Sequence, residues 1–364
     1  MLTYLPKDHV QSIIELSAHA IRRFLGTADP VYFKGDAKAA IKAYQENPLN
    51  FSDHALIAMG AHIDSAHQHP VRIELRGVNY LGAAQVVAKG VWGAKREEVV
   101  EGLRQDLKRQ GIRVLVRTAG SSSFEFNQLG VDKSLPLNYL RVALSRVLEQ
   151  MKYAPGSLID ASKTRTVIAS DGDGTVYDGP RTTHVPTLKE SPVFNGLLTY
   201  LKAGGIFMLV SGNDVNRTFK RLIDGLPPEF YNRVLLSANG GADLVTIDDQ
   251  GNPIFDQHYR THALALSTQA KKQAPLDIVY IGDDGSPNGN DRAAFETVGF
   301  DRCVLVADTF EKVFEPLLLP VYVGKTVMGT KQYLDIMNEW IAKHPHQPVF
   351  NNNLHFCKQA NHER

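Results

Sequence analysis

The sequence predicts an α/β protein with a parallel sheet in its second half. Three observations carry that prediction. Between residues 164 and 345, short apolar runs rich in β-branched residues alternate with segments of helical periodicity. Several of those runs end abruptly in Asp, Ser or Asn set among glycines, as in Val167-Ile-Ala-Ser-Asp171-Gly, Phe207-Met-Leu-Val-Ser211-Gly and Ile278-Val-Tyr-Ile-Gly282-Asp283. The chain has 364 residues, 43% of them hydrophobic, enough for two domains with a sizeable core.

In the first half, residues 8–25 place Val10, Ile13, Ile14, Leu16, Ala20, Ile21 and Leu25 at helical spacing, and 36–46 and 54–67 are expected as further helices. Val71–Arg76 alternates as a strand, Val86–Gln110 reads as largely helical, Ile112–Thr118 as a strand and 135–152 as a helix. Residues 1–152 are thus expected to form a mixed α/β domain of their own. Tyr153-Ala-Pro-Gly-Ser157 begins a linker over 153–163. The second domain, 164–345, then runs strand 166–170, helix 192–204, strand 206–210, helix 214–224, strand 233–237, a hairpin turning near Asp248-Asp-Gln-Gly251-Asn252, helix 260–272, strand 277–281, helix 290–298, strand 302–306 and helix 330–343. Strand–helix alternation implies right-handed crossovers, with reactive residues at the carboxyl ends of the strands. A polar tail, 346–364, closes the chain.

A net charge of +1 gives no general attraction to nucleic acid or to a membrane surface, so neither is expected as a partner. Cys303 and Cys357, the only cysteines, read as free thiols of a reducing compartment. The opening Met1-Leu-Thr-Tyr-Leu-Pro-Lys7 lacks the charged-then-apolar pattern of a signal peptide, and no apolar run is long enough to cross a bilayer. A cytoplasmic location is expected on these grounds.

Asp171-Gly-Asp173-Gly-Thr175 puts two carboxylates on one tight turn at a strand end. Like charges there need a divalent cation or a shared proton. The segment resembles the first motif of the haloacid dehalogenase (HAD) superfamily, Asp-x-Asp-x-Thr after a strand. The run into Ser211-Gly212-Asn213 is similar to the second motif, and the run into Gly282-Asp283-Asp284 to the fourth, all in order over roughly residues 164–345. Gly282-Asp283-Asp284-Gly-Ser-Pro-Asn-Gly289-Asn290-Asp291 also resembles a segment of the IMP-specific 5′-nucleotidases, whereas Ser211-Gly212-Asn213 departs from that group. Ser237-Ala-Asn239-Gly240-Gly241-Ala-Asp243 resembles a strand start of the sugar-phosphatase branch.

The resemblance implies a Rossmann-like core and a Mg²⁺-dependent phosphomonoester hydrolase. Asp171 would be the nucleophile and Asp173 the acid/base. Thr175, Ser211, Gly212 and Asn213 would hold the substrate phosphate or the local backbone. Asp283 would bind the metal directly with Asp171 and the backbone carbonyl of Asp173, while Asp284, Asn290 and Asp291 would act around it; an all-oxygen set suits Mg²⁺ rather than zinc. The family also needs a cation at the phosphoryl group. Arg260 is preferred for its place near a predicted helix start, Lys272 is the alternative, and Lys271 a third candidate.

Other polar groups carry weaker signals. His62, Asp64, His67 and His69 match no standard metal spacing and read as an exposed polar segment. Thr118-Ala-Gly120-Ser121-Ser-Ser123 reads as an ordinary serine-rich loop, and Trp92 with Lys95-Arg96-Glu97-Glu98 as helix surface. Val176–Ser191 and Asn239–Asp283 leave little room for an inserted cap, so residues 1–152 or a partner copy in a homo-oligomer are expected to cover the cleft. The expected substrate is a small phosphorylated metabolite, a nucleoside 5′-monophosphate or a sugar phosphate. Phosphotransfer or phosphomutation is the alternative reaction, and ligand sensing on a HAD fold the non-enzymatic one.

Overall fold

The computed structural model describes residues 12, 13 and 16, four short strands before residue 90, and then 96–119, 123–154, 167–178, 185–213, 215–270, 278–286, 289–299, 302–307 and 326–345. The chain divides into two units, Met1–Val131 and Asp132–Arg364.

In the first unit, β1 (Tyr32–Lys34) pairs antiparallel with β2 (Gly60–His62). A second sheet has the order β3 (Arg72–Arg76), β4 (Ala84–Lys89), β6 (Ser123–Gln128), β5 (Val114–Ala119), all antiparallel. Helix α1 (Arg96–Arg109) packs on β5, burying Val100, Leu103 and Leu107, and Arg104 Nε donates to the Val116 carbonyl at 2.9 Å. Two sequence expectations are corrected here. Val86–Gln110 is not one helix, because Ala84–Lys89 is an inner strand and the helix starts only at Arg96; the Val86-Val87 pair suits a pleated strand with partners on both edges. Gly60–His62, inside the expected helix 54–67, is also a strand. β6 was not foreseen.

The second unit is built on a seven-stranded sheet. Its strands are β7 (Val167–Asp171), β8 (Ile206–Val210), β9 (Val234–Ala238), β10 (Asp243–Ile247), β11 (Pro253–Phe255), β12 (Ile278–Gly282) and β13 (Cys303–Leu305), in the order β11-β10-β9-β8-β7-β12-β13. β13, β12, β7, β8 and β9 run parallel, and β10 and β11 add an antiparallel hairpin at the β9 edge. The hairpin turn is held by Asp248 Oδ1, which accepts the N–H groups of Gln250 and Asn252.

Every residue of β7, β8, β9, β10 and β12 is buried, as a parallel sheet covered on both faces requires. Ile168, Phe207, Leu209, Leu236, Val279 and Ile281 face one layer with α3 (Phe194–Lys202), α4 (Val215–Ile223) and α7 (Thr326–Lys343). The opposite face carries Tyr280, whose ring meets Phe295 of α6 (Arg292–Val298) edge-on. On this side α2 (Ser134–Gln150) packs against α6 and α5 (Gln257–Ala270), and Tyr139 meets Tyr259 edge-on.

Helix α2 was grouped with the first domain on sequence. It belongs to the second unit because its buried face lies against α5 and α6. Most of the expected 153–163 linker, and all of the 346–364 tail, fall outside the described residues. No described helix is long and apolar enough to cross a membrane.

Candidate active site

The sheet order sets the site. From β7 the chain moves outward through β8 to β9, then returns to place β12 on the other side of β7. The crevice beyond the carboxyl ends of β7 and β12 is therefore a switch point of the topology, where α/β proteins bind ligands. Asp171 ends β7, Ser211 follows β8 and Asp283 follows β12.

After Asp171 the backbone turns tightly. The N–H groups of Val176 and Tyr177 both donate to the Gly172 carbonyl, at 2.9 Å each, and Gly174 N–H donates to the Tyr177 carbonyl at 2.8 Å. Gly174 has φ +84°, and a Cβ there would stand 2.7 Å from Asp283 Oδ2. The glycine thus lets the Asp283 carboxylate lie against the turn that carries Asp173. Oxygens of Asp171, Asp283 and Asp291 come within 4.8 Å of one another.

The cation bound to Asp171 is Lys133, and no sequence reading pointed to it. Its ammonium donates to Asp171 Oδ1 and Asp291 Oδ1, each at 2.7 Å, with the side chain 2% exposed. Lys133 stands immediately before α2, in a turn where Asp132 Oδ1 accepts the Ser134 N–H at 2.8 Å. Gly241, at φ +95°, lets the chain after β9 pass against the Asp132 carbonyl. Asn239-Gly240-Gly241 therefore supports the lysine turn rather than offering side chains to a ligand. One signal for Lys133 was present in the sequence. A lysine opening a helix that has no acid in its first turn opposes the helix dipole, so another partner must hold it.

Charge and burial oppose each other in this cluster. Burial pushes the Asp171 carboxyl up to about 7; Lys133 pulls it down and the Asp291 charge adds to the rise. Burial alone would lower the Lys133 ammonium, but the two carboxylates more than offset it and hold the lysine firmly charged. Asp291, although buried, stays below the usual carboxylate range because Lys133, the Tyr280 hydroxyl (2.6 Å) and the Asp283 and Asp284 N–H groups all donate to it. Asp291 therefore anchors the lysine and the Asp283 loop. Gly282 permits this closeness, since a Cβ there would lie 2.7 Å from Asp291 Oδ2.

The remaining expected residues divide. Asp173 is not part of the acidic cluster through its side chain: Arg221 Nη1 donates to Oδ1 at 2.7 Å and Asn213 Nδ2 to Oδ2 at 3.0 Å. Asn213, expected on substrate, thus holds Asp173. Ser211 is buried, and its Oγ accepts the Asn213 N–H at 3.1 Å, with Gly212 between them in the turn. The Thr175 hydroxyl is fully buried and has no hydrogen-bond partner among the described residues. Asp284 Oδ1 accepts the N–H and hydroxyl of Ser286, forming a local turn. The Asn290 Oδ1 is buried without a hydrogen-bond partner among the described residues.

Arg260, expected at the phosphoryl group, binds a neighbouring carboxylate. Its Nε and Nη2 bind Asp243 Oδ1 at 3.2 and 3.1 Å, and its guanidinium lies over Phe255 at 4.0 Å. Arg260 sits in the first turn of α5, and its side chain turns to the β10 carboxylate, which is itself buried. Lys271 and Lys272 lie outside the described residues, as do Asp64, His67, His69, Trp92, Lys95, Gly120 and Ser121.

The donor set fits a hard divalent ion. Asp171 and Asp283 bring carboxylate oxygens together beside the Gly174 turn, and among the described residues the buried Thr175 hydroxyl is unmet and no sulfur or imidazole belongs to the cluster.

No family model and no curated protein sequence matches the chain. Among solved structures, the chain is similar to a haloacid dehalogenase-like hydrolase protein from Bacillus subtilis, at 14% identity over 52% of this chain and 96% of that one, with a TM-score of 0.30. A superposition so loose carries no weight for function. The contacts around Asp171 do.

Proposed function

We propose that this protein is a Mg²⁺-dependent phosphomonoester hydrolase of the haloacid dehalogenase type, acting on a small metabolite through an aspartyl-phosphate on Asp171. The observation that carries this reading is the buried Lys133 bridging Asp171 and Asp291, with Asp283 alongside, at the end of the central strand. A structural ion pair needs one carboxylate per cation; here three acids converge where substrates bind in such sheets.

In the first step an Asp171 carboxylate oxygen attacks phosphorus in line. The new O–P bond forms as the bond to the leaving oxygen breaks, and Asp173 delivers a proton to that oxygen. In the second step Asp173 takes a proton from water, whose oxygen attacks the same phosphorus and frees the Asp171 carboxylate with release of phosphate. Lys133 has three N–H donors and uses two on carboxylates, which leaves one for a phosphoryl oxygen. Its fixed charge meets the negative charge that spreads over the transferring group. Ser211 adds a hydroxyl donor from the neighbouring strand end. Mg²⁺ held by Asp171, Asp283 and the Asp173 carbonyl would neutralise the phosphate dianion so that a carboxylate can approach it.

Phosphate release from a panel of phosphorylated metabolites, headed by IMP, other nucleoside 5′-monophosphates and hexose phosphates, tests the reading. With Mg²⁺ and no added acceptor, hydrolysis is expected for at least one. Asp171→Asn should then lose activity by at least about 10⁴-fold while keeping the wild-type melting curve, because the covalent step has no nucleophile. Persistent Mg²⁺-dependent hydrolysis in that variant would refute the assignment. Release only when an alcohol or sugar acceptor is added would instead identify a phosphotransferase.

A further inference from the structure

Arg221 is an unusual partner for an acid/base. It lies in the last turn of α4, with its side chain 5% exposed, whereas the Asp173 side chain is 31% exposed. The Arg260–Asp243 pair differs, with both members buried, at 6% and 3% exposed. Here the cation is enclosed and its carboxylate is partly exposed.

Two contacts fix the guanidinium independently of Asp173. Nε donates to the Pro186 carbonyl at 2.9 Å, and the plane lies 4.0 Å over the ring of Tyr177. The helix backbone anchors its stem. Tyr177 and Pro186 belong to the segment that follows Asp173, so the arginine ties α4 to that segment at two points. Nη1 then reaches Asp173 Oδ1, while the Asn213 amide reaches Oδ2. Two donors, one on each oxygen, define the plane of the carboxylate. The rigid guanidinium plane holds Nε on the Pro186 carbonyl and Nη1 on Asp173 at once, which a flexible ammonium does not reproduce.

We propose that Arg221 is a positioning residue for Asp173: it sets the orientation from which Asp173 protonates the leaving oxygen, and so equips the site for unactivated alkyl phosphates. This rests on the hydrolase reading above. Its role lies with Asp173, so the effect of removing it depends on how much help the leaving group needs. An alkoxide leaves slowly without a proton, whereas p-nitrophenolate needs little assistance.

The test compares Arg221→Met, Arg221→Lys and Asn213→Ala with wild type on two substrates, the alkyl phosphate turned over fastest in the panel and p-nitrophenyl phosphate, in Mg²⁺. General acid catalysis supplies about 10²–10⁴-fold, so Arg221→Met should lower kcat on the alkyl phosphate by about 10²-fold with KM within about threefold. On p-nitrophenyl phosphate the loss should be under about fivefold. Arg221→Lys should recover about tenfold on the alkyl phosphate, and Asn213→Ala should show the same skew at smaller size. Equal losses on both substrates, or a lowered melting temperature with no skew, would assign Arg221 to stability alone. Should Arg221→Met not fold, absence of skew in Arg221→Lys and Asn213→Ala would overturn the proposal in the same way. Wild-type protein silent on both substrates would remove the hydrolase reading itself, a result distinct from an active enzyme whose Arg221 variants show no skew.

Discussion

Asp171 and Asp173 lie two residues apart on one turn, yet they occupy opposite electrostatic settings. Asp171 is buried and shares Lys133 with a second carboxylate, Asp291. Asp173 is partly exposed and meets Arg221, a cation that is held in turn by a carbonyl and an aromatic ring. The two cations arrive from opposite directions in the chain, Lys133 from before β7 and Arg221 from the helix after β8. Under the proposed hydrolase reading the difference matches two chemical tasks. A nucleophile that bonds to phosphorus would be fixed beside a compact ammonium with a hydrogen to spare. An acid/base that hands over protons would need a defined plane and access to solvent.

Lys133→Met breaks the first half of this comparison and should have the largest effect. Loss of one preorganised donor at developing charge costs about 10²–10³-fold in kcat. Two carboxylates would also be left facing each other without their cation, and breaking a buried pair in this way costs about 3–5 kcal/mol of stability. Phosphate release and thermal melting would both register the change; wild-type kcat in the folded variant would show that Lys133 has no role in the chemistry.

Arg260→Met supplies the contrast, because Arg260 is as enclosed as Lys133 but binds Asp243. Stability should fall by about 3–5 kcal/mol, as for any buried pair that loses one member. The folded variant should keep kcat within about threefold, since Arg260 is engaged by Asp243. A kcat loss as large as that of Lys133→Met would return Arg260 to the catalytic set.

A smaller effect concerns the scaffold that carries Lys133. Tyr139 of α2 bonds the His258 Nδ1 at 2.9 Å, Arg146 of α2 pairs with the buried Asp256, and His262 stacks on His258. Partial burial lowers the His258 imidazole below its usual value of 6.5, and the Arg146 and His262 charges lower it further, while Asp256 opposes. The unfolded chain therefore binds the proton more readily. This contribution to stability is present above about pH 6.5 and is lost as pH falls through the depressed value. His258→Gln should show a shallower drop in melting temperature between pH 7.5 and pH 5 than wild type. An identical slope would mean that His258 does not couple the two helices through its charge.

Much of the second unit was legible in sequence because its strands announce themselves. Val167–Asp171, Ile206–Val210 and Ile278–Gly282 are short, apolar and β-branched, and each stops where a glycine lets the chain turn. The antiparallel pair β4 and β6 was harder. Ala84–Lys89 mixes small, polar and branched residues at spacings that helices also allow, and only its two neighbours decide the matter.

By itself, the order of residues determined the alternating α/β pattern, the acidic strand ends and the pairing of Asp171 with Asp173 on one glycine-rich turn. These are local properties, written in periodicity and in the conformational freedom of neighbouring residues. Which cation meets which carboxylate was decided only by the tertiary structure. Lys133 lies 38 positions from Asp171 and 158 from Asp291, and Arg221 lies 48 from Asp173. No repeat or spacing encodes such distances. The packing of α2 against α5 and α6, and of α4 against the sheet, brings these charges together because a buried charge is tolerated only where its counter-charge is also buried or within reach.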